Sequence, residues 1–255
     1  MASNIDAIRA VAARGGVFVD FDGTLSEIAS SPEAAVAVPG AAEALEVLAR
    51  RFALVAVVSG RPAAEVRAKL SAPEGVRWFG LYGLEEEPER SSSYAPDEVE
   101  TQAELLLPAV RTSVRDLEGV RLEPKGPTLA VHYRNASDPE AVRTVLLDRL
   151  ASIAETTGLR LIEGKRVLEL APADAPTKGE VVRRHGRGLE AVLYAGDDLA
   201  DLSAFGAVDE LVADGTAGLK VAVRSQEPPR ELLTAADLVV DGPPDLVRLL
   251  RRLVG

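Results

Sequence analysis

The sequence predicts an α/β protein, a doubly wound parallel sheet interrupted in mid-chain by a smaller α+β module. Three observations carry that prediction. Apolar runs near 17–25, 53–58, 77–81, 190–194 and 219–223 alternate with helical patterns, and such alternation builds parallel sheets covered by helices. Between about 98 and 173 the order changes to helix, strand, strand, helix, strand, strand, which suits an antiparallel sheet. The α/β alternation resumes at Thr177, so the module reads as an insertion. The expected division is a core of residues 1–97 and 174–255 around an α-β-β-α-β-β module at 98–173.

Taken in order, residues 1–14 carry an Ala-rich helical pattern with Ile5, Ile8 and Val11 on one face. Residues 17–25 begin as a buried strand and run into Asp20, Asp22 and Gly23. Ser30-Ser31-Pro32 reads as loop, and Pro39-Gly40 opens a helix through about 51. The continuous apolar run 53–58 ends in Ser59-Gly60-Arg61-Pro62, where Pro62 suits the first turn of the next helix. Arg77-Trp78-Phe79-Gly80-Leu81 is a third strand, and the acidic, Ser-rich stretch at 85–97 reads as an exposed, flexible connection. The module follows: a helix over 98–117 interrupted or bent near Pro108, strands 121–125 and 128–133, a helix over 139–156, and strands 159–162 and 166–170. A helix from Lys178 to His185 then precedes strand 190–194, a helix near 199–205, strands 219–223 and 238–240, and a last helix from about Pro244. His185 follows two arginines at its helix end, which is favourable cation placement. The core is therefore Rossmann-like, with ligands expected at the carboxyl ends of its strands.

Composition narrows the chemistry. The 255 residues are 47% hydrophobic and 27% charged, enough for a sizeable core in a soluble protein. A net charge of -11 argues against a nucleic-acid groove or an anionic membrane surface as partner. There is no cysteine and there are only two histidines, so thiolate and multi-histidine metal sites are excluded. Any metal sits among oxygens, which suits Mg2+. No apolar leader or membrane-length stretch stands out, and the expectation is a cytoplasmic monomer acting on a small molecule.

Strand ends supply the candidate site. Asp20 and Asp22 close the first strand; period-2 geometry would set them on one face about 7 Å apart, so that one attacks while the other handles protons. A solvated Asp-Gly turn is the plainer alternative. Ser59 follows the second strand, Lys178 opens a helix, and Asp197, Asp198 and Asp201 follow a later strand. Parallel topology brings these ends to one edge. Several acids meeting there repel one another, and a divalent cation resolves the repulsion. Ser59 and Lys178 add a hydroxyl and a positive charge that suit a phosphoryl group.

Four motifs, Asp20-Phe21-Asp22-Gly23-Thr24-Leu25, Val58-Ser59-Gly60-Arg61, Thr177-Lys178-Gly179 and Gly196-Asp197-Asp198-Leu199-Ala200-Asp201, resemble those of the haloacid dehalogenase-like phosphatase superfamily. The insertion is similar to its type-two cap. Ser59-Gly60-Arg61-Pro62, Gly80-Leu81-Tyr82-Gly83, His132-Tyr133-Arg134 and Gly164-Lys165-Arg166-Val167-Leu168-Glu169-Leu170 resemble the trehalose-6-phosphate phosphatase family within it. The sequence departs from that family's pattern at Tyr82, Ala200 and Leu202. The resemblance implies Mg2+-dependent hydrolysis of trehalose 6-phosphate through an aspartyl-phosphate. It implies Asp20 as nucleophile and Asp22 as acid and base, with Ser59 and Lys178 on the phosphate. Mg2+ would sit on Asp20, Asp197 and the Asp22 backbone carbonyl. Asp198 and Asp201 would orient metal-bound water, and Thr24 would assist Asp22 or the phosphate. Related rivals are phosphatases of glucosylglycerol phosphate or mannosylglycerate phosphate; a catalytically silent regulatory domain is a further one.

The module's strands offer polar faces for sugar hydroxyls. Period 2 groups Thr128, Ala130, His132 and Arg134, and likewise Glu163, Lys165, Val167 and Glu169, with Glu123 and Lys125 available beside them. Glu123, Lys125, His132, Arg134, Lys165 and Glu169 are the candidate sugar contacts; a solvated sheet face is the alternative.

Overall fold

The computed structural model describes residues 2–29, 31–88, 96–225 and 228–255. Most of the expected Ser-rich connection, and Ser30 of the expected loop, lie outside the described residues. The chain divides into two compact units, one of Met1–Ser91 with Pro176–Gly255 and one of Ser92–Ala175.

In the first unit, helix α1 (Ala2–Ala10) and a 3-10 turn lead into strand β1 (Gly15–Val19). Helix α2 (Ala41–Ala49), strand β2 (Leu54–Val58), helix α3 (Ala63–Lys69) and strand β3 (Val76–Gly80) follow. A short strand β4 (Glu85–Glu87) pairs antiparallel with β3. After the second unit, described below with α4, α5 and β5 to β8, the chain returns through helix α6 (Lys178–Gly186), strand β9 (Ala191–Gly196) and helix α7 (Leu202–Ala213). Strand β10 (Ala217–Val223), helix α8 (Arg230–Ala235), strand β11 (Leu238–Val240) and helix α9 (Pro243–Arg252) end it.

The strand order is β11-β10-β9-β1-β2-β3-β4, parallel except at β4. The winding reverses at β1, between β9 and β2, which places a ligand crevice at the carboxyl ends of these strands. β1 is buried along its whole length: Val17 and Val19 pack into one apolar cluster and Phe18 into the other. That two-sided burial is why it reads as a continuous apolar run.

The structure corrects the sequence reading in two places here. The strand does not carry Asp20 and Asp22: β1 stops at Val19, and the chain turns around the Phe21 carbonyl, which accepts from the amides of Thr24, Leu25 and Ser26. The acidic stretch 85–87 is a strand, not an exposed connection. Glu85 accepts from the Ala63 amide at 2.6 Å, and Glu86 is buried against Arg77, with His185 at 3.8 Å. Helix α8 was not expected, and α7 runs well beyond 205.

The second unit holds helix α4 (Pro96–Val114), strands β5 (Arg121–Lys125) and β6 (Thr128–His132), helix α5 (Pro139–Thr157) and strands β7 (Leu159–Gly164) and β8 (Val167–Pro172). Helix α4 runs on through Pro108. Helix α5 starts where Asp138 accepts from the Ala141 amide at 3.1 Å, and it stops at Gly158, whose φ of 68° closes the last turn. The strands form an antiparallel sheet, β5-β6-β8-β7. Leu129, Val131, Tyr133, Leu168 and Leu170 pack with Val110, Val114, Leu146 and Leu150 from the helices.

The two-residue turn Lys165-Arg166 between β7 and β8 overturns one face assignment. Glu163 pairs with Leu168 across the hairpin, so it shares the helix-covered face, and Arg143 of α5 binds it at 2.5 Å. Burial and then the Glu163 charge push the Tyr133 hydroxyl up to about 12. Counting by twos along 163–169 fails because the turn resets the parity.

Candidate active site

Lys178 is the first residue of α6, fixed there by a capping box in which the Thr177 hydroxyl accepts from the Glu180 amide at 3.2 Å and the Thr177 amide donates to Glu180 at 2.6 Å. Its buried ammonium donates to Asp20 Oδ1 at 2.8 Å and to Asp201 Oδ1 at 2.7 Å. Asp201 also accepts from the Tyr194 hydroxyl at 2.6 Å and from the Asp197 and Asp198 amides at 3.0 and 2.9 Å. With four donors on its two oxygens, Asp201 shapes the loop after β9 rather than reaching outward. Asp198 is half-buried and accepts from the Leu199 amide at 2.7 Å.

Carboxylate oxygens of Asp20, Asp197 and Asp201 all lie within 4.8 Å of one another. Burial, reinforced by the Asp201 and Asp197 charges and opposed by Lys178, raises the Asp20 carboxyl well above the usual range. Burial works against the Lys178 ammonium too, but Asp20 and Asp201 outweigh it and keep the amine charged. Three buried acids around one ammonium leave an excess of negative charge. That excess and the all-oxygen donor set fit a hard divalent cation. Gly23 makes the arrangement possible: its φ is 75°, and a Cβ there would come within 2.1 Å of Asp197 Oδ2.

The other expected residues occupy neighbouring positions. Thr24 is buried, its hydroxyl 3.5 Å from Asp20 Oδ2. Ser59 is buried after β2, where its hydroxyl accepts from the Arg61 amide at 3.1 Å. The Tyr82 amide donates to the Ser59 carbonyl at 2.9 Å, so the loop after β3 braces the loop after β2. Asp22 is not beside Asp20 on a strand face. Its side chain is 40% exposed and bound by Arg61 through two hydrogen bonds of 2.6 and 2.8 Å. Sequence reasoning missed Arg61 and Tyr194. Arg61 stands in the quoted motifs with no role of its own, and a tyrosine within an apolar run reads as core.

In the second unit, register places Arg121, Glu123 and Lys125 on one face with Thr128, Ala130, His132, Val167 and Glu169. His132 Nε2 lies 2.6 Å from Glu123, and Lys125 Nζ lies 3.6 Å from Glu169, which also accepts from the Thr128 hydroxyl. Arg134 donates to the Lys165 carbonyl at 3.0 Å. The side chains of five of the six candidate contacts are thus engaged, Glu123 with His132, Lys125 with Glu169, and Arg134 with the hairpin turn, where Lys165 supplies the carbonyl.

The trehalose-phosphatase family model matches residues 18–239. The chain belongs to the trehalose-phosphatase family. A trehalose-phosphate phosphatase of Mycobacterium leprae is 33% identical over 252 residues, 93% of this chain and 57% of its own length. A Mycobacterium tuberculosis protein described as an uncharacterized glycosyl hydrolase is 36% identical over 208 residues, 76% of this chain and 15% of its own. The chain therefore spans less than two thirds of either relative. The C-terminal domain of C. albicans trehalose-6-phosphate phosphatase has the same fold, with a TM-score of 0.80 at 21% identity over 100% of this chain and 96% of that one. A haloacid dehalogenase-like hydrolase from Bacteroides thetaiotaomicron shares the fold, with a TM-score of 0.57 at 17% identity over 94% of this chain and 99% of that one. The family resemblance seen in the motifs is borne out. No helix among the described residues is long and apolar enough to cross a membrane.

One pH effect follows for this trehalose-phosphatase family chain. Burial alone would raise the Glu123 carboxyl, but the hydrogen bond with His132 and the charges of Lys125, His132 and Arg121 outweigh it and lower it from 4.5 to about 2. A depressed carboxylate contributes stability above its unfolded pKa and loses it as pH falls through the folded one. Glu123→Gln should therefore lower Tm at pH 7, and its deficit against the wild type should shrink between about pH 4.5 and 2. Melting curves across that window check it; a constant deficit would mean a packing effect.

Proposed function

We propose that the protein hydrolyses trehalose 6-phosphate to trehalose and phosphate, with Asp20 as the nucleophile. The observation that carries this is the buried Asp20–Lys178–Asp201 chain beside Asp197, in a member of the trehalose-phosphatase family. Asp20 attacks phosphorus while the bond from phosphorus to the sugar oxygen breaks, and Asp22 gives its proton to that oxygen. Asp22, now a carboxylate, takes a proton from water whose oxygen attacks the aspartyl-phosphate. Phosphate leaves, and the Asp20 carboxylate is restored. Ser59 and Lys178 hold the non-bridging oxygens, and Thr24 supports the same group. Lys178 keeps Asp201 as a partner whenever it turns to phosphate. Mg2+, held by Asp20, Asp197 and the Asp22 carbonyl, would neutralise phosphoryl charge. Asp198 and Asp201 fix the loop that carries Asp197.

The second unit is proposed as the cap that reads the sugar, through Glu123, Lys125, His132, Arg134, Lys165 and Glu169, in a cytoplasmic enzyme. Paired carboxylates and cations there offer acceptors and donors to hydroxyls. Losing one such partner costs about ten- to a hundred-fold in rate. Lys125→Ala and Glu169→Gln should lower kcat/KM for trehalose 6-phosphate by that factor and leave hydrolysis of an aryl phosphate nearly unchanged. Equal losses on both substrates would remove these residues from sugar recognition. The deciding experiment is phosphate release from a panel of sugar phosphates with Mg2+ and with chelator. Preference for glucosylglycerol phosphate or mannosylglycerate phosphate would reassign the substrate. No release from any of them would leave a regulatory domain.

A further inference from the structure

The guanidinium of Arg61 is nearly buried, its side chain 9% exposed, and it is shared among Asp22, the Pro32 carbonyl and Glu65. Nε and Nη2 grip the Asp22 carboxylate at 2.6 and 2.8 Å. Nη1 donates to the Pro32 carbonyl at 2.8 Å and also to Glu65 in the first turn of α3. The Phe21 ring lies 5.7 Å beneath the cation. Asp22 is therefore held at rest by a bidentate ion pair, turned toward Arg61, while Asp20 one residue beyond β1 binds Lys178. A carboxyl gripped in that way is not available to a leaving oxygen.

We infer that Arg61 is a positioning residue that parks Asp22 between turnovers, and that Glu65 is its standby partner. This rests on the phosphatase reading above. When Asp22 leaves Arg61 for the leaving group it takes up a proton from solvent, returned to solvent when the pair re-forms, and a buried guanidinium with no other anion would be left uncompensated, at high cost. Glu65 already contacts Nη1 and is 35% exposed, so it holds the cation while Asp22 is away. Lys69, 3.7 Å from Glu65, keeps that carboxylate in place. The release of Asp22 is thus set by how far Glu65, on a different nitrogen, already compensates the guanidinium, and Glu65 touches neither substrate nor reacting atoms.

The test is Glu65→Gln in the full chain, read by single-turnover release of the alcohol, where only the first chemical step counts. A sugar alkoxide needs the Asp22 proton; a nitrophenolate does not. With Glu65 neutralised, Arg61 holds Asp22 harder, and release of trehalose should slow on the order of ten-fold while release of nitrophenol barely changes. Glu65→Gln combined with Arg61→Met should abolish that difference between the two esters, because no clamp remains. A second reading needs no turnover: the Arg61 Nε–H resonance should be protected from exchange in the wild type, more protected in Glu65→Gln and unprotected in Asp22→Asn. Equal slowing of both esters by Glu65→Gln, or an Nε–H signal indifferent to both carboxylates, overturns the proposal. A wild type that cleaves neither ester overturns the phosphatase reading instead, and the clamp is then decided by the Nε–H signal alone.

Discussion

Asp20→Asn should abolish turnover, by about 10⁴-fold or more, and leave the protein at least as stable as the wild type in chelator. The amide is a poor nucleophile, which accounts for the rate. The stability follows from the electrostatics. A group whose folded-state pKa is raised adds stability below its unfolded value and loses it as pH rises through the folded one. The Asp20 carboxyl is raised well above 3.8 by burial and by its acidic neighbours, so ionising it works against the fold. Removing that charge relieves repulsion with Asp197 and Asp201, while Lys178 keeps Asp201. The variant should also gain less in Tm from Mg2+ than the wild type, having lost a ligand. Paired melts in chelator and in Mg2+ read both effects beside the kinetics. A variant that still turns over would separate Asp20 from the role of nucleophile, and one that unfolds would overturn the electrostatic argument.

Most of the frame was legible because its causes are local. Burial on both faces makes β1 and β2 read as apolar runs, β3 is nearly as buried apart from Arg77, and the break in alternation marks the inserted unit. Lys178 and the Asp197-to-Asp201 loop were legible for a related reason: a capped helix start and a strand end are fixed by short motifs. What was not legible depends on where the chain turns. The pleat argument for Asp20 and Asp22 failed because Phe21 drops into the core and its carbonyl gathers three amides, and the strand stops at Val19, before either acid. The same kind of error moved Glu163 to the wrong sheet face, since a two-residue turn shifts parity without altering composition. Strand β4 escaped notice because Glu85 and Glu86 are stabilised by Ala63 and Arg77, partners distant in sequence. Arg61 and Tyr194 belong to that class too: their chemistry lies in pairings with Asp22 and Asp201 that no spacing rule encodes.

Lys178→Met should be the most damaging single change to the fold of the site. Its ammonium is the buried cation that Asp20 and Asp201 share, and breaking a buried ion pair from one side costs about 3–5 kcal/mol because the remaining charges lose their compensation. Lys178 is raised above its ordinary pKa by those two acids, so its contribution is fully present at neutral pH and lost only under alkaline conditions. The deficit of the variant should therefore be large at pH 7 in chelator. It should shrink as pH falls, when the uncompensated carboxylates take up protons. Mg2+ should recover more of the Tm in Lys178→Met than it adds to the wild type, since added positive charge meets three unbalanced acids there. Turnover should not recover with it: loss of one group that stabilises phosphoryl charge costs about 10²- to 10³-fold, and only the uncharged Ser59 and Thr24 hydroxyls remain as side-chain donors proposed for that group. Melts over pH with and without Mg2+, together with kcat in saturating Mg2+, distinguish the two roles. A deficit independent of pH and Mg2+ would assign Lys178 to packing, and a rate restored along with Tm would take it off the phosphate.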